Sequence, residues 1–210
     1  LEVTGLNRQR DRILQYGVFG ATATGALVRL TSVVDAEVPT GRDPNKLLGV
    51  SLREIRQAVP LRGHLCILYA ALHGSVVVIH NRWHDWSIVQ AEFARNGAAP
   101  PVPLAVWCTL DLCRNKLRVP TARHNLGTVC EWFHIPLEMA HCAVQDAEAA
   151  FSVLLVLVNR YWQPFFSRQP EYRGMFDVRS RFWPAPKWFR ADLTGAAPRP
   201  LAAAVQLACP

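Results

Sequence analysis

The segment Cys142–Tyr161 sets Val144, Ala147, Phe151, Leu154, Leu155 and Val158 along one face of a helix. An apolar stripe that wide has to be buried against another layer of structure. The chain supplies that layer upstream. Arg12–Phe19 and Gly25–Val34 are rich in Ile, Leu, Val, Tyr and Phe, are separated by a short Ala/Thr/Gly segment, and predict two strands. Ser75–Ile79, preceded by Gly74, predicts a short buried strand. Ser51 with Glu54 three residues on has the pattern of a capping box and opens a helix over Leu52–Ala58, which Pro60 ends. Leu61–Leu72, Asp85–Arg95, Thr109–Leu117 and Leu126–Phe133 are further expected helices. The polar run Glu37–Leu47 and the prolines Pro100, Pro101 and Pro103 mark loops. Strands first, then helices alternating with a buried strand, predict an α/β domain with a mixed sheet.

Composition narrows the class. Of 210 residues, 50% are hydrophobic and 19% charged, which excludes a mostly disordered chain, a collagen and a coiled coil. The longest apolar run, Leu65–Leu72, is far short of the ~20 residues a membrane span requires, so no membrane is expected as a partner. No charged-then-apolar leader opens the chain, and the expected location is cytoplasmic. The start at Leu1-Glu2 is expected to lie inside a structural element, with the first strand cut short. Cys108, Cys113, His124, Cys130 and His134 have a spacing conceivable for zinc, but they fall in apolar-periodic segments where a free Cys packs as a small hydrophobe. A chain of this size in a reducing compartment needs no disulfide.

The net charge is +7. Residues 159–210 hold eight bases and three acids, together with seven of the fifteen prolines and ten of the twenty aromatics. A boundary is expected near residue 160, giving a domain over 1–160 and a Pro/aromatic/Arg-rich extension over 161–210. Arg179-Ser-Arg-Phe-Trp183 and Lys187-Trp-Phe-Arg190 have the chemistry to stack on bases and neutralise phosphates, or to cover an apolar patch of the domain; the second is the favoured expectation.

Acidic residues are scarce, so their settings matter. Glu2 precedes the first complete strand, Asp85 follows the buried strand 75–79, and Asp146 stands at the start of the strong helix. Three carboxylates at element edges can converge on a divalent-metal site, since hard cations take oxygen ligands. His141 lies five residues before Asp146, a rise of ~7.5 Å within one helix and a different face. To serve one site, His141 has to come from the loop entering the helix, where it can act as a general base.

These segments resemble the DnaQ-like (DEDDh) class of 3′–5′ exonucleases, which includes the ε subunit of DNA polymerase III, ribonuclease T and oligoribonuclease. The family's D-x-E-[TV]-T-G-L is matched by Glu2-Val-Thr-Gly-Leu6, and its H-N-x-x-F-D block by His80-Asn-Arg-Trp-His-Asp85. Its H-x-A-x-x-D-A is matched by His141-Cys-Ala-Val-Gln-Asp146-Ala147. Leu48-Gly-Val-Ser-Leu-Arg-Glu-Ile55, Cys108-Thr-Leu110 and Asn125-Leu126 match softer features, and the resemblance runs from residue 1 to about 160.

The resemblance implies an RNase H-like fold and a hydrolase using two divalent ions, Mg²⁺ or Mn²⁺. It implies Glu2, Asp85 and Asp146 as metal ligands and His141 as general base. Thr4, Gly5 and Leu6 would line the pocket for the terminal nucleotide, and His80 and Asn81 would support the site or touch substrate. The implied substrates are 3′ ends of single-stranded DNA or RNA, the product a nucleoside 5′-monophosphate, and the context a polymerase or repair complex. The chain also departs from the pattern. The family's first Asp falls immediately before Leu1, so the 210-residue chain is expected to fold but to be slow or inactive. Arg82 replaces a small residue, His84 a Phe and Leu48 a His. The rival expectation is a nucleic-acid-binding module of the same fold that has lost its chemistry.

Overall fold

A computed structural model describes residues 1–5, 7, 10–22, 26–38, 46, 50–138, 141–161 and 168. Strands β1 (Glu2–Val3), β2 (Ile13–Ala21) and β3 (Leu27–Val33) form an antiparallel sheet in that order. The register sets Glu2 opposite Gln15 and Gln15 opposite Val33. Strands β4 (Val76–Ile79) and β5 (Ala105–Cys108) pair in parallel. Both kinds of pairing are therefore present, divided among the described residues between two sheets.

The helices are α1 (Leu52–Gln57), α2 (Leu65–Leu72), α3 (Arg82–Arg95), α4 (Thr109–Asp111), α5 (Leu126–Phe133) and α6 (Ala143–Tyr161). The capping box opens α1 as its spacing requires: Ser51 Oγ accepts from the Glu54 amide and the Glu54 carboxylate accepts from the Ser51 amide. The helix expected over Leu61–Leu72 is two pieces, a 3₁₀ turn over Leu61–His64 and then α2. Helix α4 widens into a π turn over Leu112–Lys116.

Helix α6 packs on β2, β3 and β4 and so joins the two sheets. Its Val153, Leu154, Leu157 and Val158 fill one core with Trp107, Leu112, Val129 and Phe133. Burying each such side chain contributes roughly 1.5–3 kcal/mol. Cys113 and Cys130 sit in this core, and burial pushes both thiols up to about 12. They stay protonated and pack as hydrophobes. The second core lies under the antiparallel sheet, where Ile13, Tyr16 and Val34 meet Leu61, Leu68, Ile88 and Phe93.

Two contacts fix where α6 begins. Gly17 in β2 lies so close to the helix that a Cβ there would overlap the backbone of Ala143 and Val144. Gln15 Oε1 accepts a hydrogen bond from the Ala143 amide at 2.9 Å, satisfying a donor that the first helical turn leaves open. Helix α3 is tied to the other end of the sheet by Glu92, 1% exposed, whose Oε1 lies 2.7 Å from Arg12 Nε and 3.2 Å from an Arg95 guanidinium nitrogen. The expected extension over 161–210 lies, apart from Tyr161 and Arg168, outside the described residues.

Candidate active site

The site assembles at the joint between the short strand β1, the start of α6 and the start of α3. Gln15 is the hinge pin of the first two. Its backbone faces Glu2 across the sheet while its side chain holds the first amide of α6. Asp146 then falls on the first turn of α6, and its amide donates to the Cys142 carbonyl at 3.0 Å. His141 precedes the helix with φ 70°, in the left-handed region that few non-glycine residues occupy. That turn puts the imidazole beside the acids while the ring remains exposed.

One ligand atom each from Glu2, His141 and Asp146 lie within 4.8 Å of one another, and His141 Nδ1 is 3.7 Å from Glu2 Oε1. Burial holds the Glu2 carboxyl above its ordinary value; the Leu1 amino group and His141 draw it down, while Asp146 and Asp85 push it up. Asp146 is raised in the same way, first by burial and then by Asp85, against the pull of the Leu1 amino group and His141. Asp85 stands on the first turn of α3, outside the close trio but near enough for its charge to act on both carboxyls. Its Oδ1 is 3.2 Å from the Leu1 amino nitrogen.

Three carboxylates gathered in a partly buried place repel one another and are costly to ionise. A divalent cation removes that cost and accepts their oxygens, so this donor set fits a hard metal ion.

The remaining expected residues divide. His80 is a support. Its Nε2 faces the His124 carbonyl oxygen at 2.8 Å and therefore carries the proton, leaving Nδ1 to accept from Thr109 Oγ1 at 2.9 Å. Burial lowers its pKa, which keeps the ring neutral. Asn81 caps α3 in the left-handed region, φ 73°. The Thr4 hydroxyl is engaged within its own turn: it donates to Asp11 Oδ1 and accepts from the Arg12 amide, both at 3.0 Å. Gly5 packs against the same Asp11 carboxylate. Leu6 and Leu48 lie outside the described residues. Arg82 points away from the acids, to the Val106 carbonyl at 3.2 Å, and His84 buries Nε2 with no hydrogen-bond partner among the described residues.

Two residues escaped the sequence reading. Gln15 looks like any polar residue in a half-buried strand, and its partner is 128 positions away. Asp11 holds the Thr4–Gly5 turn from seven residues beyond Thr4. Only the apolar Ile13 and Leu14 between them mark the strand; nothing marks the contact.

An α/β domain in which acids converge from a strand and two helix starts has a fold similar to that of solved exonucleases. Comparisons with known proteins agree. No family model matches the chain. It is homologous to PolC-type DNA polymerase III of Streptococcus sanguinis (strain SK36), 27% identical over 159 residues, and to that of Streptococcus agalactiae serotype III (strain NEM316), 26% identical over 159 residues. The alignment covers 76% of this chain and 11% of the length of each relative. The fold is that of exonuclease X in complex with 5′ overhanging duplex DNA (TM-score 0.58, 15% identity, 84% of this chain and 95% of that one). It is also that of E. coli exonuclease I in complex with a dT13 oligonucleotide (TM-score 0.66, 14% identity, 83% of this chain and 44% of that one). No helix among the described residues is long and apolar enough to cross a membrane.

Proposed function

We propose that this chain is a divalent-metal-dependent 3′–5′ exonuclease that releases nucleoside 5′-monophosphates from DNA or RNA, working with or within a replicative or repair polymerase. The observation that carries this reading is the gathering of Glu2, His141 and Asp146 within 4.8 Å, at the junction where the three motif blocks meet.

Glu2, Asp85 and Asp146 would hold the metal ions, Mg²⁺ or Mn²⁺. When bound, two such ions stabilise charge on the attacking and leaving oxygens of a phosphodiester displacement. The chain's own residues do the rest. His141, exposed and hinged on a left-handed backbone, takes the proton of the attacking water and passes it to solvent. Asp11 keeps the Thr4–Gly5 turn in place, bonded to the Thr4 hydroxyl and filling the space a side chain at Gly5 would take. Neutral His80 braces the junction of β4 and α4.

The test uses a strand labelled at its 3′ end, Mn²⁺, and the chain preceded by a short strand with either Asp or Asn immediately before Leu1. Mononucleotide release that is orders of magnitude faster with Asp supports the reading. Equal rates would remove that position from the metal site, and strand binding without any release would establish the binding module instead.

A further inference from the structure

Behind His80 and Asn81 lies a cavity of about 600 Å³, bounded on its far side by the π turn of α4 and the loop that enters α5. Arg114 and Arg123 line it, with His124 and Asn125. The wall contains no carboxylate, and neither arginine is in an ion pair among the described residues. Residues 112–130 carry Arg114, Lys116, Arg118 and Arg123 and not one Asp or Glu. His124 Nε2 faces the Val119 carbonyl oxygen at 3.0 Å.

Concave surfaces lined by one sign of charge concentrate the opposite sign. Arginine forks match the oxygens of a phosphate, and Asn125, the N-cap of α5, stands at the positive end of a helix dipole. The cavity also touches the candidate active site. Asn81 is one helical turn from Asp85, and the charge of Asp85 is felt at the His80 ring.

We propose that this cavity is a phosphate subsite for a polynucleotide strand. Resting on the exonuclease reading, it takes a backbone phosphodiester upstream of the 3′ terminal nucleotide, with Arg114 and Arg123 as its cations. The terminal phosphodiester lies at the acids while an interior one lies between the arginines, so the site recognises a chain and not a free nucleotide.

The experiment is binding of 5′-fluorescein oligothymidylates two, four and six nucleotides long, in EDTA, across a series of KCl concentrations, to the whole chain. Wild-type affinity is expected to rise with length. The Arg114→Ala/Arg123→Ala variant should lose that gain, roughly tenfold or more at low salt, with a salt slope shallower by about 0.7 for each phosphate contact removed. The control is Arg53→Ala/Arg56→Ala on α1, which removes the same charge elsewhere and should keep the gain with length. Inorganic phosphate at millimolar concentration should erase the gain in wild type. A length dependence equal in wild type and the Arg114/Arg123 variant overturns the subsite, as does an equal loss in the α1 control. The two readings also fail separately. Length-dependent binding lost in the variant, with no mononucleotide released in Mn²⁺ by the chain carrying Asp immediately before Leu1, defeats the exonuclease reading and keeps the subsite; release by that chain with an arginine-independent gain does the reverse.

Discussion

At the residue scale, the site consists of groups whose charges oppose one another until something is bound. Burial and mutual repulsion raise the Glu2 and Asp146 carboxyls above their ordinary values. A carboxyl raised in the folded chain holds its proton longer there than in the unfolded chain. Its contribution to stability is complete below the ordinary carboxylate range, near pH ~4, and is lost as pH rises through the raised value. In EDTA the melting temperature is therefore expected to fall from pH 4 towards neutrality, and Mn²⁺ should restore it most at pH 7. Asp146→Asn should flatten that fall and raise the melting temperature of the metal-free chain at pH 7 by roughly 2–4 °C. A lower melting temperature would show that the carboxylate is not under repulsion. His141 is a different case, since its ring is exposed and the role proposed for it is to move a proton. His141→Ala is expected to cut the rate of mononucleotide release by roughly 10²–10⁴-fold with little change in strand binding. A near-normal rate would remove it from the mechanism.

At the element scale, the question is what brings a strand and a helix about 140 residues apart in sequence to one place. Gln15 and Gly17 do so from alternate positions of β2. Gly17→Ala drives a methyl group into the Ala143 backbone and should destabilise the fold by about 1–3 kcal/mol, read from denaturant midpoints. Gln15→Ala leaves the Ala143 amide unpaired. It should speed hydrogen exchange at that amide and cost about 1 kcal/mol, the usual value of a lost N-terminal cap. Gln15→Glu keeps the acceptor and should restore slow exchange; failure to do so would place the clamp elsewhere.

Elements of this kind are unevenly legible in the sequence. The α1 capping box is readable because donor and acceptor are three residues apart. The apolar spacing predicts a start for α3 at Asp85, whereas the helix begins at Arg82, because Asn81 turns through the left-handed region and Trp83, 63% exposed, breaks the apolar stripe. The Gln15 clamp is invisible because a glutamine in a strand has no local partner to reveal it.

At the scale of the whole molecule, helix α6 joins the two sheets, and the acids meet where its start approaches β1 and the start of α3. Glu92 gives the clearest view of how such a fold hides its supports. In sequence it is one charge in an amphipathic helix; in the structure it is 1% exposed between two arginines and the Ile13 amide. Motif spacing singles out the acids and the histidine as candidates because such chemistry is carried by residue type, while the packing that aims them is distributed over distant pairs. What matters for function is whether these acids act together on a strand end. The direct measurement is the product distribution, in Mn²⁺, from a strand labelled at its 3′ terminal nucleotide, with the chain carrying Asp immediately before Leu1 and with the same chain bearing Asp146→Asn. The labelled nucleotide should appear first, as a 5′-monophosphate, and the Asp146→Asn substitution should abolish its release while leaving the fold intact. Internal fragments as first products, or undiminished release from the Asp146→Asn chain, would contradict it.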